Sequence, residues 1–178
     1  MIRHATLHDL ENIWQLRIET QNLLKERGID QWQHQNPSKE MFKNDIALNE
    51  FYVYELHQEI IGMVAIKSGI EKTYNVIYDG AWGYDHPYLT IHRLAIKRAY
   101  LGQKIADELL DFADELAKKM KTDYIRIDTY FTNKNAIRLF EKHGYIKRGW
   151  IILEPGEGDL RRLAYDKWLG ENDENLDR

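Results

Sequence analysis

Residues 92–116, HRLAIKRAYLGQKIADELLDFADEL, decide the fold of this chain. An apolar strand end, Leu94–Ile96, passes through a short loop with one glycine, Gly102, into an amphipathic helix. The apolar residues of the helix recur at helical spacing and form one side, made of Ile105, Leu109, Leu110, Phe112, Ala113 and Leu116. Free N–H groups at a helix start attract anions, so the loop can hold a phosphate. A plain helix start with surface lysines is the alternative that these residues alone leave open.

Hydrophobic periodicity predicts further strands and helices on both sides of this stretch. Before it lie a strand (2–6), a helix (7–28), a short helix (38–49) and a hairpin (51–68). After it lie a strand (123–130), a helix (133–144) and two strands (145–153 and 161–169). Ser38 is the expected N-cap of the short helix, and Gly144 ends the last helix. The order predicts one mixed α/β domain over residues 1–170, followed by a polar acidic tail at 171–178.

The composition is that of a soluble globular protein. A formal net charge of -4 argues against nucleic-acid binding, which normally leaves a basic surface. The absence of cysteine excludes disulfides, thiolate metal sites and a cysteine nucleophile, and it suits a reducing compartment. The chain start lacks the apolar core of a signal peptide, and no apolar run approaches the roughly 20 residues that span a bilayer. We therefore expect a cytoplasmic protein with neither a membrane nor a nucleic-acid partner.

Aromatic residues are frequent, with 11 tyrosines and 5 tryptophans in 178 residues. Several lie in two segments with the composition of loops, at residues 30–35 and 74–88. Such aromatics either form small satellite cores or line a ligand pocket, and the sequence leaves both interpretations open.

Residues 90–145 resemble the GCN5-related N-acetyltransferase (GNAT) superfamily of acyl-CoA-dependent transferases. In that family an apolar strand is followed, after a fixed gap, by a loop of pattern (Arg/Gln)-x-x-Gly-x-(Gly/Ala) that opens a helix. Here LAI (94–96) and LGQKIA (101–106) stand at the usual gap, and Gly102, Ile105 and Ala106 match common choices. Leu101 departs from the basic or amide residue, and Lys104 from the middle glycine.

A second segment, IRIDTYFTNKNAIRLFEKHGYIKRGW (125–150), matches the next strand and helix of the family. The matching positions include Asn133, Ala136, Gly144 and Tyr145. The two segments stand at the right separation, so the resemblance extends over most of the chain. It implies an α+β (mixed α/β) fold with a central, mostly antiparallel, twisted and splayed sheet. That sheet would have about seven strands, with helices on both faces.

The resemblance also implies that acetyl-CoA (CoA) is the co-substrate and that no metal is required. The residues expected to bind it are Leu94, Ile96, Gly102, Gln103, Lys104, Ile105, Ala106 and Asn133. The backbone of Leu94 and Ile96 would pair with pantetheine like an added strand, and the loop would hold the pyrophosphate. Asn133 would bond the pantetheine or phosphate arm, although an ordinary helix N-cap explains it as well.

His92 is the predicted general base, because a base with a pKa near neutrality deprotonates an amine most usefully. Alternation along a strand would place His92 on the same face as Leu94 and Ile96, and Arg93 on the other face in a structural ion pair. The family member that acetylates serotonin has a histidine at the matching position. A packed strand histidine is the alternative interpretation. Other candidate bases in the aromatic segment are Asp79, Asp85 and His86.

Trp32, His34 and Tyr88 are the predicted acceptor-binding residues, because the segment around Trp32 corresponds to a variable loop of the family that covers the acceptor. Phe140 occupies the position where many members have a tyrosine that protonates the leaving thiolate. Tyr130, His143 or Tyr145 could take over that role through water, and the spacing selects none of them. The predicted acceptor is the primary amine of a small molecule, which attacks the thioester directly.

Two alternatives remain at the level of function. One is an acyl-CoA-binding regulatory module with weak or no catalysis, suggested by Leu101, Lys104 and Phe140. The other is an acetyltransferase that acts on a protein or peptide. Many family members dimerise, so the resemblance is compatible with a homodimer.

Overall fold

The structure is a computed structural model that describes residues 1–171. Within this range the sheet consists of β1 (Ile2–His4), β2 (Phe51–Leu56), β3 (Glu59–Lys67), β4 (Leu89–Ile96), β5 (Tyr124–Tyr130), β6 (Ile146–Ile152) and β7 (Arg161–Trp168). The α-helices of the same range are α1 (Leu10–Glu26), α2 (Lys39–Ala47), α3 (Ile105–Lys119) and α4 (Lys134–Lys142). All but the first residue of the predicted tail at 171–178 lies outside the described residues.

Two of the predicted helix ends have the expected local chemistry. The Ser38 hydroxyl accepts a hydrogen bond from the Met41 N–H at the start of α2, which satisfies one of the free donors there. Gly144 follows α4 with φ +84°, a left-handed conformation that glycine adopts without steric cost.

The strand order is β1-β2-β3-β4-β5-β7-β6, and β4–β5 is the parallel pair among otherwise antiparallel neighbours. These two strands pair only where they begin, from Leu89 opposite Ile125 to Ile91 opposite Ile127. Beyond Ile91 the strands separate. The splayed, mostly antiparallel sheet implied by the resemblance is confirmed.

A β-bulge interrupts β4. Met63 is paired with Ala95 and Ala65 with His92, so two residues of β4, Arg93 and Leu94, lie opposite the single residue between them on β3. Arg93 has φ 56°, and a bulge of this kind shifts the alternation of side chains by one position.

The shift places His92 and Leu94 on opposite faces of the sheet. Leu94 and Ile96 pack in the core under α3 and α4, whereas Ala65, the partner of His92, packs in the core under α1 and α2. The prediction that His92 shares a face with Leu94 and Ile96 is therefore wrong. Simple alternation holds only in a strand without a bulge.

Helices cover both faces of the sheet, as expected. Helices α3 and α4 pack on one face through a core that includes Leu109, Leu110 and Phe140. Helices α1 and α2 pack on the other face through a core that includes Ile13 and Phe42.

The segment between β3 and β4 covers β6 and β7 on the α1 face. Tyr74 packs there with Ile151 and Ala164, and the Trp82 Nε1–H donates to the Tyr74 carbonyl at 2.8 Å. Asp166, fully buried, accepts from the Gly83 N–H at 2.8 Å and anchors the segment to β7. For residues 74–88, the satellite-core interpretation is the correct one. The same packing fixes the position of Glu71 at the base of the segment.

Candidate active site

A cavity of about 710 Å³ lies where β4 and β5 separate. Its wall on the α4 side includes Leu94, Ala136 and Phe140, and its wall on the α1 side includes Glu71 and His92. Further lining comes from residues 30–37, from β5, from the β6–β7 loop and from Arg162. The cavity thus connects the two faces of the sheet through the split between the strands.

A second cavity, of about 300 Å³, lies at the start of α3. Gly102 lines it with φ +77° and no atom within 4 Å of where a Cβ would stand, so the backbone there is open to a ligand. Lys104 and Lys142 lie in the same wall, where Lys142 Nζ pairs with Asp107 at 2.6 Å. A helix N-terminus, an open backbone and the Lys104 ammonium fit a pyrophosphate.

The backbone of Lys104 explains one departure from the family pattern. Lys104 has φ 63°, a left-handed conformation that a glycine at this position would adopt freely. The loop therefore keeps the geometry of a glycine loop and gains a positive charge. Gln103, unlike Gly102 and Lys104, is not part of the cavity lining in the described chain. Its N–H donates to the Tyr100 carbonyl, and its side-chain amide donates to the Ala99 carbonyl.

Within residues 1–171, the edge of β4 that faces β5 has no strand partner beyond Ile91. Residues 92–96, including Leu94 and Ile96, therefore present backbone groups to the split. An extended pantetheine chain can add to such an edge as a strand would. Apart from Gln103, the residues expected to bind the cofactor thus line the split or the α3 loop.

Asn133 lies at the wall of the large cavity, at the start of α4. Its side-chain oxygen accepts from the Ala136 N–H at 3.3 Å, and its amide donates to Gln31 Oε1 at 3.1 Å. Asn133 is therefore a helix cap that also joins the 30–37 loop to the cofactor side of the cavity.

His92 forms a pair with Glu71. The Nε2 atom of His92 lies 3.0 Å from Glu71 Oε2. The Thr73 hydroxyl donates to the other carboxylate oxygen at 3.0 Å, and the Glu71 N–H donates to the Tyr88 hydroxyl at 2.9 Å. The hydrogen bond with His92 is the main reason why the pKa of Glu71 is lowered from 4.5 to about 2. Because an ionised carboxylate only accepts, Nε2 carries the proton and Nδ1 is the free base of a neutral His92.

The 30–37 loop and the β6–β7 loop meet at one end of the cavity. Asp30 accepts from the Asp159 N–H at 2.9 Å, and this bond lowers the pKa of the Asp30 carboxyl. His34 Nε2 lies 3.2 Å from Asp30, and Nδ1 lies 4.0 Å from Glu157. Trp32 and His34 both line the cavity, so for residues 30–35 the pocket interpretation is the one supported by geometry.

Other predicted residues lie outside the lining of both cavities within the described part of the chain. Tyr88 contacts Glu71 through its hydroxyl, and among the alternative bases Asp79 accepts from Trp150 Nε1 at 2.7 Å. The predicted residues outside both linings are Asp79, Asp85, His86, Tyr88, Gln103, Tyr130, His143 and Tyr145. Phe140, in contrast, is part of the wall of the large cavity.

Arg93 forms the ion pair that its position predicted, with a 2.9 Å separation from Asp45. The bulge also brings Arg93 to the cavity wall, which alternation did not predict. Glu71, Gln31, Asp128 and Arg162 line the cavity too, and sequence reasoning missed all four. They lie at least 21 positions from His92 along the chain, and no local signal singles them out within their segments.

Two further findings concern residues 1–171 as a whole. No group of three or more His, Cys, Asp or Glu side chains in this range is arranged to hold a metal ion. None of its helices combines the length and the apolar composition needed to cross a membrane.

Comparison with known proteins identifies acetyltransferases as similar in sequence and in fold. The model of the Acetyltransferase (GNAT) family matches residues 11–145. A GNAT-family acetyltransferase structure from Streptococcus agalactiae is 29% identical, with 96% of each chain covered and a TM-score of 0.85. The uncharacterized N-acetyltransferase YesJ from Bacillus subtilis is 22% identical over 145 residues, which cover 79% of this chain and 78% of that protein.

One structural neighbour was solved with the cofactor. The PaiA N-acetyltransferase of Thermoplasma acidophilum, in complex with coenzyme A, has a TM-score of 0.68 at 21% identity. The match covers 94% of this chain and 98% of that chain. Family, fold and cavities lead to the same conclusion: the chain belongs to the acetyltransferase (GNAT) family and is an acetyl-CoA-dependent N-acetyltransferase.

Proposed function

We propose that the protein transfers the acetyl group of acetyl-CoA to the primary amine of a small molecule, with His92 as the general base. The observation that carries this proposal is the Glu71–His92 pair in the wall of the 710 Å³ cavity. The pair lies on the face of the sheet opposite to Leu94 and Ile96. A base on one face and a cofactor edge on the other bring acceptor and donor together at the split.

The cofactor would be held at two places by this chain. The open backbone around Gly102, together with Lys104, would bind the pyrophosphate, and the free edge of β4 would bind pantetheine. Acetyl-CoA supplies an acetyl group that is already activated as a thioester. The bulge at Arg93 and Leu94 takes backbone groups out of the ladder, so the Leu94 N–H is suited to stabilise developing negative charge.

His92 would take the proton of the acceptor ammonium on Nδ1. Glu71 accepts from Nε2, holds the ring in one orientation and stabilises the imidazolium that forms. The amine then attacks directly, and no covalent enzyme intermediate is required. Glu71 is itself held by Thr73 and Tyr88, so the pair is preorganised.

We assign no side-chain acid to the leaving thiolate. Phe140 lines the cavity but has no proton to donate, and Tyr130, His143 and Tyr145 are absent from the lining within residues 1–171. A thiol has an ordinary pKa of about 8.5 and is an adequate leaving group without an acid.

The two loops that meet at the end of the cavity favour a small acceptor. Asp30 is bonded to Asp159, and His34 lies beside Asp30, so these loops close one end of the cavity. This contact is the reason to prefer a small molecule over a protein or peptide. The homodimer stays a prediction.

The test is a thiol-release assay with a panel of small amines and of short peptides, run in parallel with calorimetric binding of acetyl-CoA. We expect tight acetyl-CoA binding and turnover of small amines. Turnover of peptides alone would replace the proposal with the peptide alternative. Binding without turnover of any acceptor would favour the regulatory module.

A further inference from the structure

We propose that Arg162 is a carboxylate-binding residue of the acceptor site, and that the acceptor is a small amino acid or a similar aminocarboxylate. This inference rests on the proposed function, because it names the acceptor of that same site. It begins with an arginine that lines the cavity and that the proposed chemistry does not use.

Arg162 is a buried cation whose donors are not all used. Only 6% of the surface of Arg162 is exposed to solvent. Nη1 donates to the carbonyls of Asp159 and Arg161 at 2.7 and 2.9 Å, but Nε has no acceptor among the described residues. Burial lowers the pKa of Arg162 more than the nearby Asp128 and Asp159 raise it. A buried guanidinium with a free N–H is costly, and an anionic ligand would offset that cost.

Three carboxylates of the cavity wall, in contrast to Arg162, already have hydrogen-bond partners within the protein. Glu71 is bonded to His92 and Thr73, and Asp30 is bonded to the Asp159 N–H. Asp128 accepts from the Tyr74 hydroxyl at 2.6 Å. These three acids already have donors, whereas the Nε–H of Arg162 has no acceptor among the described residues. An anion in the cavity would supply that acceptor.

Arg93 is the other buried guanidinium of the wall. Its Nη1 atom lies 2.9 Å from Asp45, a carboxylate that is itself 1% exposed. Arg93 Nε and Nη1 also lack a hydrogen-bond partner among the described residues. Arg93 nevertheless has a carboxylate at ion-pair distance, whereas Arg162 has none within residues 1–171, which is why we assign the ligand carboxylate to Arg162.

Strand register allows the separation between Arg162 and His92, the proposed base, to be estimated. His92 follows Ile91, which is paired with Ile127, so it is level with Asp128 on β5. Asp128 is paired with Ala164, two residues from Arg162 on the same face of β7. Because β4 and β5 separate beyond Ile91, the Cα atoms of His92 and Arg162 lie farther apart than the roughly 12 Å of two regular strand spacings and two residues.

Both side chains reach into this gap from their strands. The space between the imidazole and the guanidinium suits a molecule whose amine and carboxylate are a few bonds apart. Such an acceptor would place its amine at His92 and its carboxylate at Arg162. A single carboxylate–guanidinium contact would also fix the direction in which the acceptor enters.

The test compares matched acceptors on the wild-type enzyme: L-leucine with isoamylamine and with L-leucinamide, and L-phenylalanine with 2-phenylethylamine. We expect kcat/KM for the amino acids to exceed that for the partners without a carboxylate by about ten- to a hundredfold, the usual value of a hydrogen bond to a charged group. Equal use of both partners, or preference for the plain amines, would overturn the inference.

Two variants then assign the effect to the residue. Arg162→Met should abolish the preference by lowering kcat/KM for the amino acids alone, and Arg162→Lys should keep part of it. Arg161→Met is the matched control, since Arg161 is an exposed neighbour on β7 that does not line the cavity. An equal loss for both acceptor types in Arg162→Met, with unchanged acetyl-CoA binding, would contradict the assignment.

The outcomes separate this inference from the proposed function. Turnover of plain amines with no preference for a carboxylate would reject the Arg162 site and leave the acetyltransferase of small amines standing. Acetyl-CoA binding without turnover of any small amine, with or without a carboxylate, would reject the proposed function. The wild-type comparison needs no variant, so it remains decisive if Arg162→Met does not fold.

Discussion

His92 and Glu71 lie 3.0 Å apart across the wall of the large cavity, although 21 positions separate them in the chain. The contact exists because the segment between β3 and β4 folds back over β6 and β7 and delivers Glu71 to the strand that carries His92. A strand histidine with an oriented carboxylate partner is suited to accept a proton from an amine.

Replacing the base should affect turnover far more than cofactor binding. We expect His92→Ala to lower kcat at neutral pH by about 10²- to 10⁴-fold, the usual contribution of a general base. The acetyl-CoA dissociation constant, measured by calorimetry, should change little. His86→Ala is the control, because His86 lies beside Trp168 and outside the cavity lining. A large loss in His86→Ala with full activity in His92→Ala would reverse the assignment.

Glu71→Gln should reduce kcat less than His92→Ala does, because glutamine keeps the shape but loses the charge that stabilises the imidazolium. We expect roughly a ten- to a hundredfold loss, since each pKa unit of interaction corresponds to a factor of ten. Glu71 acts through His92, so the double variant should be no slower than His92→Ala alone. Additive losses in this cycle would show that Glu71 acts independently.

The lowered pKa of Glu71 also predicts how stability depends on pH. The carboxyl has a pKa of about 2 in the folded protein against an ordinary 4.5, so its contribution to stability is present above pH 4.5. That contribution is lost as the pH falls from 4.5 towards 2. Urea unfolding from pH 7 to pH 3 should therefore show a steeper acid decline for the wild type than for Glu71→Gln. Parallel declines would mean that the carboxylate is not stabilised by the fold.

Gly102→Val should weaken acetyl-CoA binding, because φ +77° strains a β-branched residue and the new side chain enters the open loop. Gly69→Val is a matched control: Gly69 has φ +89°, equally open surroundings and no place in either cavity lining. Both variants should lose about 1–3 kcal/mol of stability from the strained backbone. Only Gly102→Val should raise the dissociation constant for acetyl-CoA. Equal affinities in the two variants would remove this loop from the cofactor site.

Asn133→Ala should cost stability and cofactor affinity together. The lost cap of α4 should reduce the free energy of unfolding by about 1 kcal/mol, and Ser38→Ala should cost a similar amount at the start of α2. The KM for acetyl-CoA should rise in Asn133→Ala only, because Asn133 lines the cavity and holds Gln31. An unchanged KM in both variants would make Asn133 a cap and nothing more.

Local signals in the sequence determined the strands and the helices, and the family resemblance predicted the role of the loop before α3. The amphipathic pattern at residues 103–120, the Ser38 cap and Gly144 are properties of neighbouring residues, and the structure has each where it was expected. The split sheet followed from the two family segments on either side of it. These features depend on short-range periodicity and backbone preference, which a single sequence carries.

Only the tertiary structure decided which side chains line the large cavity. The bulge at Arg93 places His92 on the face opposite Leu94. No residue type in β4 predicts this bulge from the sequence. Glu71 and Arg162 reach the cavity from distant parts of the chain through packing and strand register. The chemistry proposed for this cavity depends on contacts between residues far apart in sequence. Periodicity and local propensity describe neighbouring residues only, so they cannot predict these contacts.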